Sequence, residues 1–262
     1  MKKMLLCFCS VLLVLTGVAG CAATTGSSAE SKDAASSSDS SAEEKVSSVQ
    51  VSSAVSTQPD SVPLAERVSS MKLAGETDKI LTVVWQRSSL ATATLFQKGD
   101  QDVWNEVFST DCYIGKNGMT AEKQEGDAKT PTGAYTFGIA FGRQDDPGSV
   151  IAYHKLNENN FWVDDSNSKY YNQFVSADKV EKDWNSAEHL MAVSCYDYAL
   201  SINYNTDCTP GKGSAIFLHC LTAGSTGGCV ALPDELVVQL LKTVDANTRI
   251  VMVENAADLA NY

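Results

Sequence analysis

Between Lys79 and Glu254 the chain is a series of short β-branched and apolar runs broken by polar residues and glycine, a pattern that restricts it to a sheet-based fold. The runs are "KILTVVWQ" (79–86), "LATATLFQKG" (90–99), "VWNEVFSTDCYIG" (103–115), "GAYTFGIAFG" (133–142), "YALSINYN" (198–205), "SAIFLHC" (214–220) and "RIVMVE" (249–254). Helix signals are few. The clearest is Pro233-Asp234-Glu235 ahead of Leu236, Val237, Leu240 and Leu241, with a proline suited to a first turn and two acids at the positive end of the dipole. The segment therefore reads as mainly β with one or two short helices. Its length suits one domain, 78–256, followed by a short C-terminal tail, 257–262. There is no internal repeat and no glycine-rich phosphate loop.

The N-terminus is of another kind. "MKKMLLCFCSVLLVLTGVAGC" places two lysines before an apolar run that is short for a membrane span, as in a secretory signal. It ends in Val18-Ala19-Gly20-Cys21, which resembles a bacterial lipobox and implies lipidation of Cys21 after removal of 1–20; the alternative is an ordinary signal peptide with a chance cysteine. Removing Lys2 and Lys3 takes the formal charge from −12 to −14, which disfavours nucleic acid as a partner. Residues 22 to about 63 are small and polar and cannot bury enough surface to offset their ordering entropy. They read as a flexible tether, and 21–77 as a Ser/Ala-rich linking segment in which "LAERVSSMKLA" (64–74) has the composition of a short helix.

The chemistry concentrates in "HCLTAGSTGGCVALP" (219–233). Alternation along a strand puts Ala215, Phe217 and His219 on one face and Ile216, Leu218 and Cys220 on the other, so Cys220 points away from the imidazole. A glycine-containing loop can fold Cys229 back within reach of His219. An imidazolium lowers a neighbouring thiol's pKa, and Gly227 and Gly228 permit a turn that aims backbone N–H groups at an oxyanion. A catalytic Cys229 of this kind is expected to be alkylated by iodoacetamide well below pH 8. The plainer alternative is a turn around a structural thiol.

"EGDAKTPTGAYTFG" (125–138) and "TGGCVAL" (226–232) together resemble the L,D-transpeptidase (YkuD-type) family, with Glu125, Gly126, Asp127, Thr130, Pro131 and Gly133 followed in order by His219, Thr226, Gly228, Cys229 and Val230. The resemblance implies a mixed β-sandwich and acyl transfer on peptidoglycan stem peptides. Cys229 would be the nucleophile and His219 the general base, its ring oriented by the Cys220 carbonyl. The N–H groups of Gly228 and Cys229 would form the oxyanion hole, with Thr226 and Gly227 beside the substrate. The products would be a 3→3 cross-link or, in an L,D-carboxypeptidase, a trimmed stem. Two departures stand out: Gly227 and Ala231 occupy positions where many members carry His and Arg or Asn. They keep open the runner-up reading, an inactive wall-binding module on the same fold.

"NNFWVDDSNSKYYNQF" (159–174) offers Trp162 and Tyr171 as platforms of a cleft and Lys169 as a partner for a stem carboxylate; the alternative is a packed surface loop. His154 and His189 read as structural or surface residues, and Lys212 as a solvated turn lysine. No cofactor is expected. A zinc site from Cys208, His219, Cys220 and Cys229 lacks close CxxC pairs, so no metal is expected either. With Cys21 lipidated and Cys229 free, Cys112, Cys195, Cys208 and Cys220 allow three pairings, of which Cys195–Cys208 is favoured because the two flank a strand. The expected location is outside the membrane, lipid-anchored and facing the wall.

Overall fold

A computed structural model describes residues 62–221 and 223–262. The signal segment, Cys21 and most of the tether lie outside the described residues. No helix among the described residues is long and apolar enough to cross a membrane.

The chain runs α1 (Leu64–Ser70), β1 (Lys79–Arg87), β2 (Leu90–Lys98), β3 (Trp104–Tyr113), β4 (Met119–Thr120), β5 (Thr130–Pro131), β6 (Gly133–Tyr135), β7 (Phe137–Gly142), β8 (Tyr153–Lys155), β9 (Asn160–Val163), β10 (Phe174–Ser176), β11 (Ala187–His189), β12 (Ala199–Ile202), β13 (Phe217–Cys220), β14 (Val230–Leu232), α2 (Asp234–Leu241) and β15 (Arg249–Val253). It is mostly β, as its sequence pattern implies. Ten strands form one mixed sheet in the order β6-β15-β1-β2-β3-β14-β13-β12-β7-β8. β6 stands at one end of that order and β7 next to the other end, yet only Thr136 separates them in sequence. The sheet must therefore curl until its two ends nearly meet.

Curling gives the sheet an inside. Leu81, Val83, Leu95, Leu200, Leu218 and Ile250 face inward, and α2 contributes Val237, Leu240 and Leu241 to the same core. On the outer face of β1, β2 and β15, Val68, Met71 and Ala74 pack with Ile80, Phe96, Val251 and Leu259. These residues lie in 64–74, where a short helix was expected and α1 forms, so the end of the linking segment 21–77 belongs to the folded unit. So does the expected tail: a 3-10 helix spans Ala256–Asn261, and the Tyr262 carbonyl accepts the Lys72 N–H at 2.6 Å. The outer face of β7, β12 and β13 is covered by the small sheet β10-β9-β11, with Phe141, Phe217, Tyr196 and Cys229 between them. That interlayer holds the functional site.

Candidate active site

β13 lies between β12 and β14, with His219 opposite Ala199 on one side and Ala231 on the other. Strand alternation acts as expected. Ile216, Leu218 and Cys220 enter the inner core, while Phe217 joins Cys229 in the outer layer. His219 faces the same way, edge-on to the Tyr196 ring at 5.4 Å, and is only 3% exposed. Its Nδ1 is 2.7 Å from the Cys220 carbonyl. A carbonyl only accepts, so Nδ1 carries the proton and Nε2 keeps its lone pair. Burial lowers the pKa of His219, with the Cys220 contact opposing, so the imidazole is neutral at pH 7.

Two threonine hydroxyls fix the Cys229 turn. Thr226 Oγ1 donates to the Cys229 carbonyl at 2.8 Å and accepts the Gly228 N–H at 3.1 Å. Thr130, wholly buried, accepts the Gly115 N–H at 2.9 Å and donates to the Gly228 carbonyl at 2.8 Å. The two motifs, distant in sequence, are thus joined at the cysteine's own peptide. Gly228 sits at φ +148, and a Cβ there would lie 2.8 Å from the Lys129 carbonyl. Its N–H, one of the two expected oxyanion donors, is committed to Thr226. The Cys229 N–H has no acceptor among the described residues.

The sulfur's hydrogen bonds go to backbone and not to His219. Cys229 Sγ accepts the Phe217 N–H at 3.3 Å and donates to the Ala215 carbonyl at 3.2 Å. Ala215 takes a left-handed backbone (φ +54), and Asn172 Oδ1 accepts its N–H at 3.1 Å. Donation to a carbonyl requires a thiol, and burial, chiefly, with the charge of Glu188, holds the group well above the ordinary thiol range. This cysteine rests protonated, which reverses the expectation for alkylation below pH 8 from fast to slow.

Cys229 and His219 line a cavity of about 390 Å³ with Thr226, Gly227, Ser214 and Tyr196. The platforms expected from 159–174 are placed elsewhere. Trp162 turns inward, its ring 4.8 Å edge-on from Phe217 and its indole N–H donated to Asn172 Oδ1 at 3.0 Å. Tyr171 is buried; its hydroxyl accepts the Gly213 N–H and donates to Glu125 Oε2 at 2.5 Å. Both back the cavity without lining it. Lys169 is exposed, its ammonium over the Tyr170 ring, and lies outside the lining as well.

Other lining residues were not among the expected site residues, although Glu125 stands in the first motif. Lys123 is buried and forms an ion pair of 2.5 Å with Asp127, which also accepts the N–H groups of Gln124 and Lys129. Its spacing of four residues from Asp127 was the available signal. Glu125, Asp164, Glu188 and Cys195 complete the wall. Tyr196 donates its hydroxyl to Glu188 at 2.6 Å. The favoured Cys195–Cys208 disulfide is absent: all five described cysteines are free, and Cys208 donates to the Thr206 carbonyl while Cys195 faces the cavity.

Residues 82–252 match the family model of the L,D-transpeptidase catalytic domain, YkuD. No curated protein matches the chain. Two solved structures are similar in fold at 16% identity. One is the helical cell shape determining protein Pgp2 from Campylobacter jejuni, with a TM-score of 0.37 over 76% of this chain and 62% of that one. The other is an L,D-transpeptidase from Stackebrandtia nassauensis, with a TM-score of 0.32 over 69% of this chain and 57% of that one. The chain thus spans about three fifths of the length of the solved structures it matches.

Proposed function

The chain belongs to the YkuD family of L,D-transpeptidase catalytic domains, and on that premise we propose that it transfers acyl groups between peptidoglycan stem peptides through a thioester on Cys229. The observation that carries this reading is the shared cavity: a thiol on a pinned turn and a neutral imidazole with a free Nε2 lone pair face one space. The stem's third residue, a diamino acid, presents its carbonyl to Cys229. The sulfur leaves the Ala215 carbonyl, its proton passes to His219 Nε2, and the C–S bond forms. The Cys229 N–H is the donor left to meet the oxyanion. Collapse breaks the bond to the terminal D-alanine, whose amine leaves with the proton from His219. An acceptor amine then gives His219 its proton, attacks the thioester and regenerates the thiol, closing a 3→3 cross-link. Water in that role yields a trimmed stem.

A resting thiol paired with a neutral imidazole means that the nucleophile is generated as substrate arrives. The sulfur's two bonds to backbone also support a second reading, a wall-binding module without turnover. One experiment separates them. The full chain and its Cys229→Ala variant are mixed with disaccharide-tetrapeptide fragments and followed by mass spectrometry. D-Alanine release with an adduct on Cys229 is expected. Dimeric product then marks a transpeptidase and tripeptide alone a carboxypeptidase; a folded chain that binds fragments without adduct refutes the enzyme. The proposed location is outside the membrane, anchored through lipidated Cys21 and facing the wall. Detergent partitioning lost in Cys21→Ser tests the anchor.

A further inference from the structure

The oxyanion site is short of donors. Two backbone N–H groups were expected there, but that of Gly228 is committed to Thr226 Oγ1 at 3.1 Å, which leaves the Cys229 N–H alone. Gly227 has no side chain to add. An oxyanion is a negative charge developing beside Glu125, Asp164 and Glu188, which share the cavity lining. One N–H dipole is a poor match for that surrounding.

Lys123 is the one Lys or Arg among the residues that line the cavity. Its side chain is 3% exposed. An ammonium has three donors, and two of these are taken, one by Asp127 Oδ1 and one by the Gln124 carbonyl at 2.9 Å. The third has no partner among the described residues. The stem reaches the nucleophile's turn through two gaps that only glycine leaves. A Cβ at Gly213 would lie 2.9 Å from Lys123 Cγ, and one at Gly228 would lie 3.4 Å from Lys123 Cε. Gly228 immediately precedes Cys229, so the last carbon of the lysine stands beside the peptide that carries the Cys229 N–H. The ammonium is also held in place. Asp127 accepts the N–H groups of Gln124 and Lys129, and Thr130 ties the same segment to the Gly228 carbonyl. Its charge reaches the sulfur: burial first, then Glu188, push the Cys229 thiol up, and Lys123 acts in the opposite sense.

We infer that Lys123 is the second donor of the oxyanion hole, giving its third N–H to the oxygen that becomes charged when Cys229 attacks a carbonyl. This rests on the acyl-transfer reading above and adds a catalytic residue to it. As the C–S bond forms, the carbonyl π pair moves onto oxygen. The Lys123 proton is shared with that oxygen and stays on nitrogen. When the intermediate collapses, the pair returns, the bond to the leaving group breaks and the ammonium is left as it was. A cation already fixed where charge develops needs no reorganisation during the step.

Two reactions of the same thiol test it. Acylation by p-nitrophenyl acetate passes through a tetrahedral oxyanion; alkylation by iodoacetamide does not. Both consume the Cys229 thiolate, so their ratio cancels any change in its pKa, its exposure or the turn that carries it. The full chain and its Lys123→Met variant are treated with each reagent, and adducts on the Cys229 peptide are timed by mass spectrometry. Lys123→Met is expected to lower the acylation-to-alkylation ratio about a hundredfold. A fall of less than about tenfold in the folded variant, or a wild-type Cys229 that the ester never acylates, overturns the proposal. If circular dichroism shows Lys123→Met unfolded, Lys123→Met with Asp127→Asn removes both charges of the pair and takes its place under the same limits. Disaccharide-tetrapeptide fragments run alongside keep the two readings apart. Acylation by the ester that depends on Lys123, without any adduct from the fragments, keeps the donor and rejects transfer on stem peptides. Fragment adducts that form equally fast in wild type and Lys123→Met keep the transfer and reject the donor.

Discussion

Thr130→Val is the sharpest probe of how the site is held. Valine keeps the shape and the packing of a wholly buried side chain and deletes one hydroxyl. That hydroxyl serves the Gly115 N–H at 2.9 Å and the Gly228 carbonyl at 2.8 Å, and neither group has another partner among the described residues. Two buried backbone groups left unsatisfied cost about 1–3 kcal/mol each, so a loss near 3 kcal/mol is a conservative sum. For a folded unit of this size about 2–4 °C of Tm follows each kcal/mol, which gives a fall of roughly 6–12 °C in thermal unfolding. Thr130→Ser keeps both bonds and loses a methyl group, about 1 kcal/mol. Because the Gly228 carbonyl anchors the peptide of the nucleophile, the Val variant should also acylate Cys229 more slowly at temperatures where it remains folded, and the Ser variant should recover. A Val variant that melts within about 1 °C of wild type, or a Ser variant as damaged as Val, refutes the reasoning.

Other outcomes follow from the same geometry. Iodoacetamide at pH 7 should modify the partly exposed Cys208 well before Cys229, whose thiol burial holds far above its ordinary range; peptide mapping reads the order. Gly228→Ala forces a Cβ against the Lys129 carbonyl at a positive φ and should cost about 2 kcal/mol or more, whereas Gly227→Ala, with nothing within 4 Å of its Cβ, should melt near wild type. Burial holds the folded-state pKa of His219 below the ordinary histidine value of about 6.5, so the unfolded chain takes up a proton that the folded chain refuses. Stability should therefore fall as pH drops below about 6.5, and denaturation of His219→Gln should show a shallower fall. Lys123→Met strands the Asp127 carboxylate at a site where the lysine is 3% exposed, and denaturant unfolding should reveal about 3 kcal/mol of loss.

Much of the scaffold was legible because short β-branched runs have few alternatives. β1, β2, β3 and β15 fall where the apolar runs place them, and α2 starts after Pro233 as its capping acids suggest. Strand alternation alone separated His219 from Cys220. The cavity wall was less legible, since it is assembled from residues whose neighbours in sequence point elsewhere. In β9 the period of two sends Trp162 toward Phe217 and Val163 toward Trp184, so the aromatic stretch became backing and its acid, Asp164, became surface. Glu188 and Tyr196 meet through a hydroxyl–carboxylate bond that no motif announces. The resting protonation of Cys229 was not legible because a desolvation penalty depends on what surrounds a side chain in three dimensions.

The position of β1 bears on how such a chain comes to be folded. One neighbour, β2, follows it at once, but the other, β15, pairs with it in parallel from the far end, Ile80 standing opposite Arg249. β6, in turn, is hydrogen-bonded to the sheet only through β15. Closing so long a loop carries an entropic cost that is recovered only when the last strand docks. A nascent chain therefore cannot complete this sheet while its C-terminal residues are still being synthesised. Until then both β1 and β6 lack the strand that joins them, and the curl of the sheet cannot close.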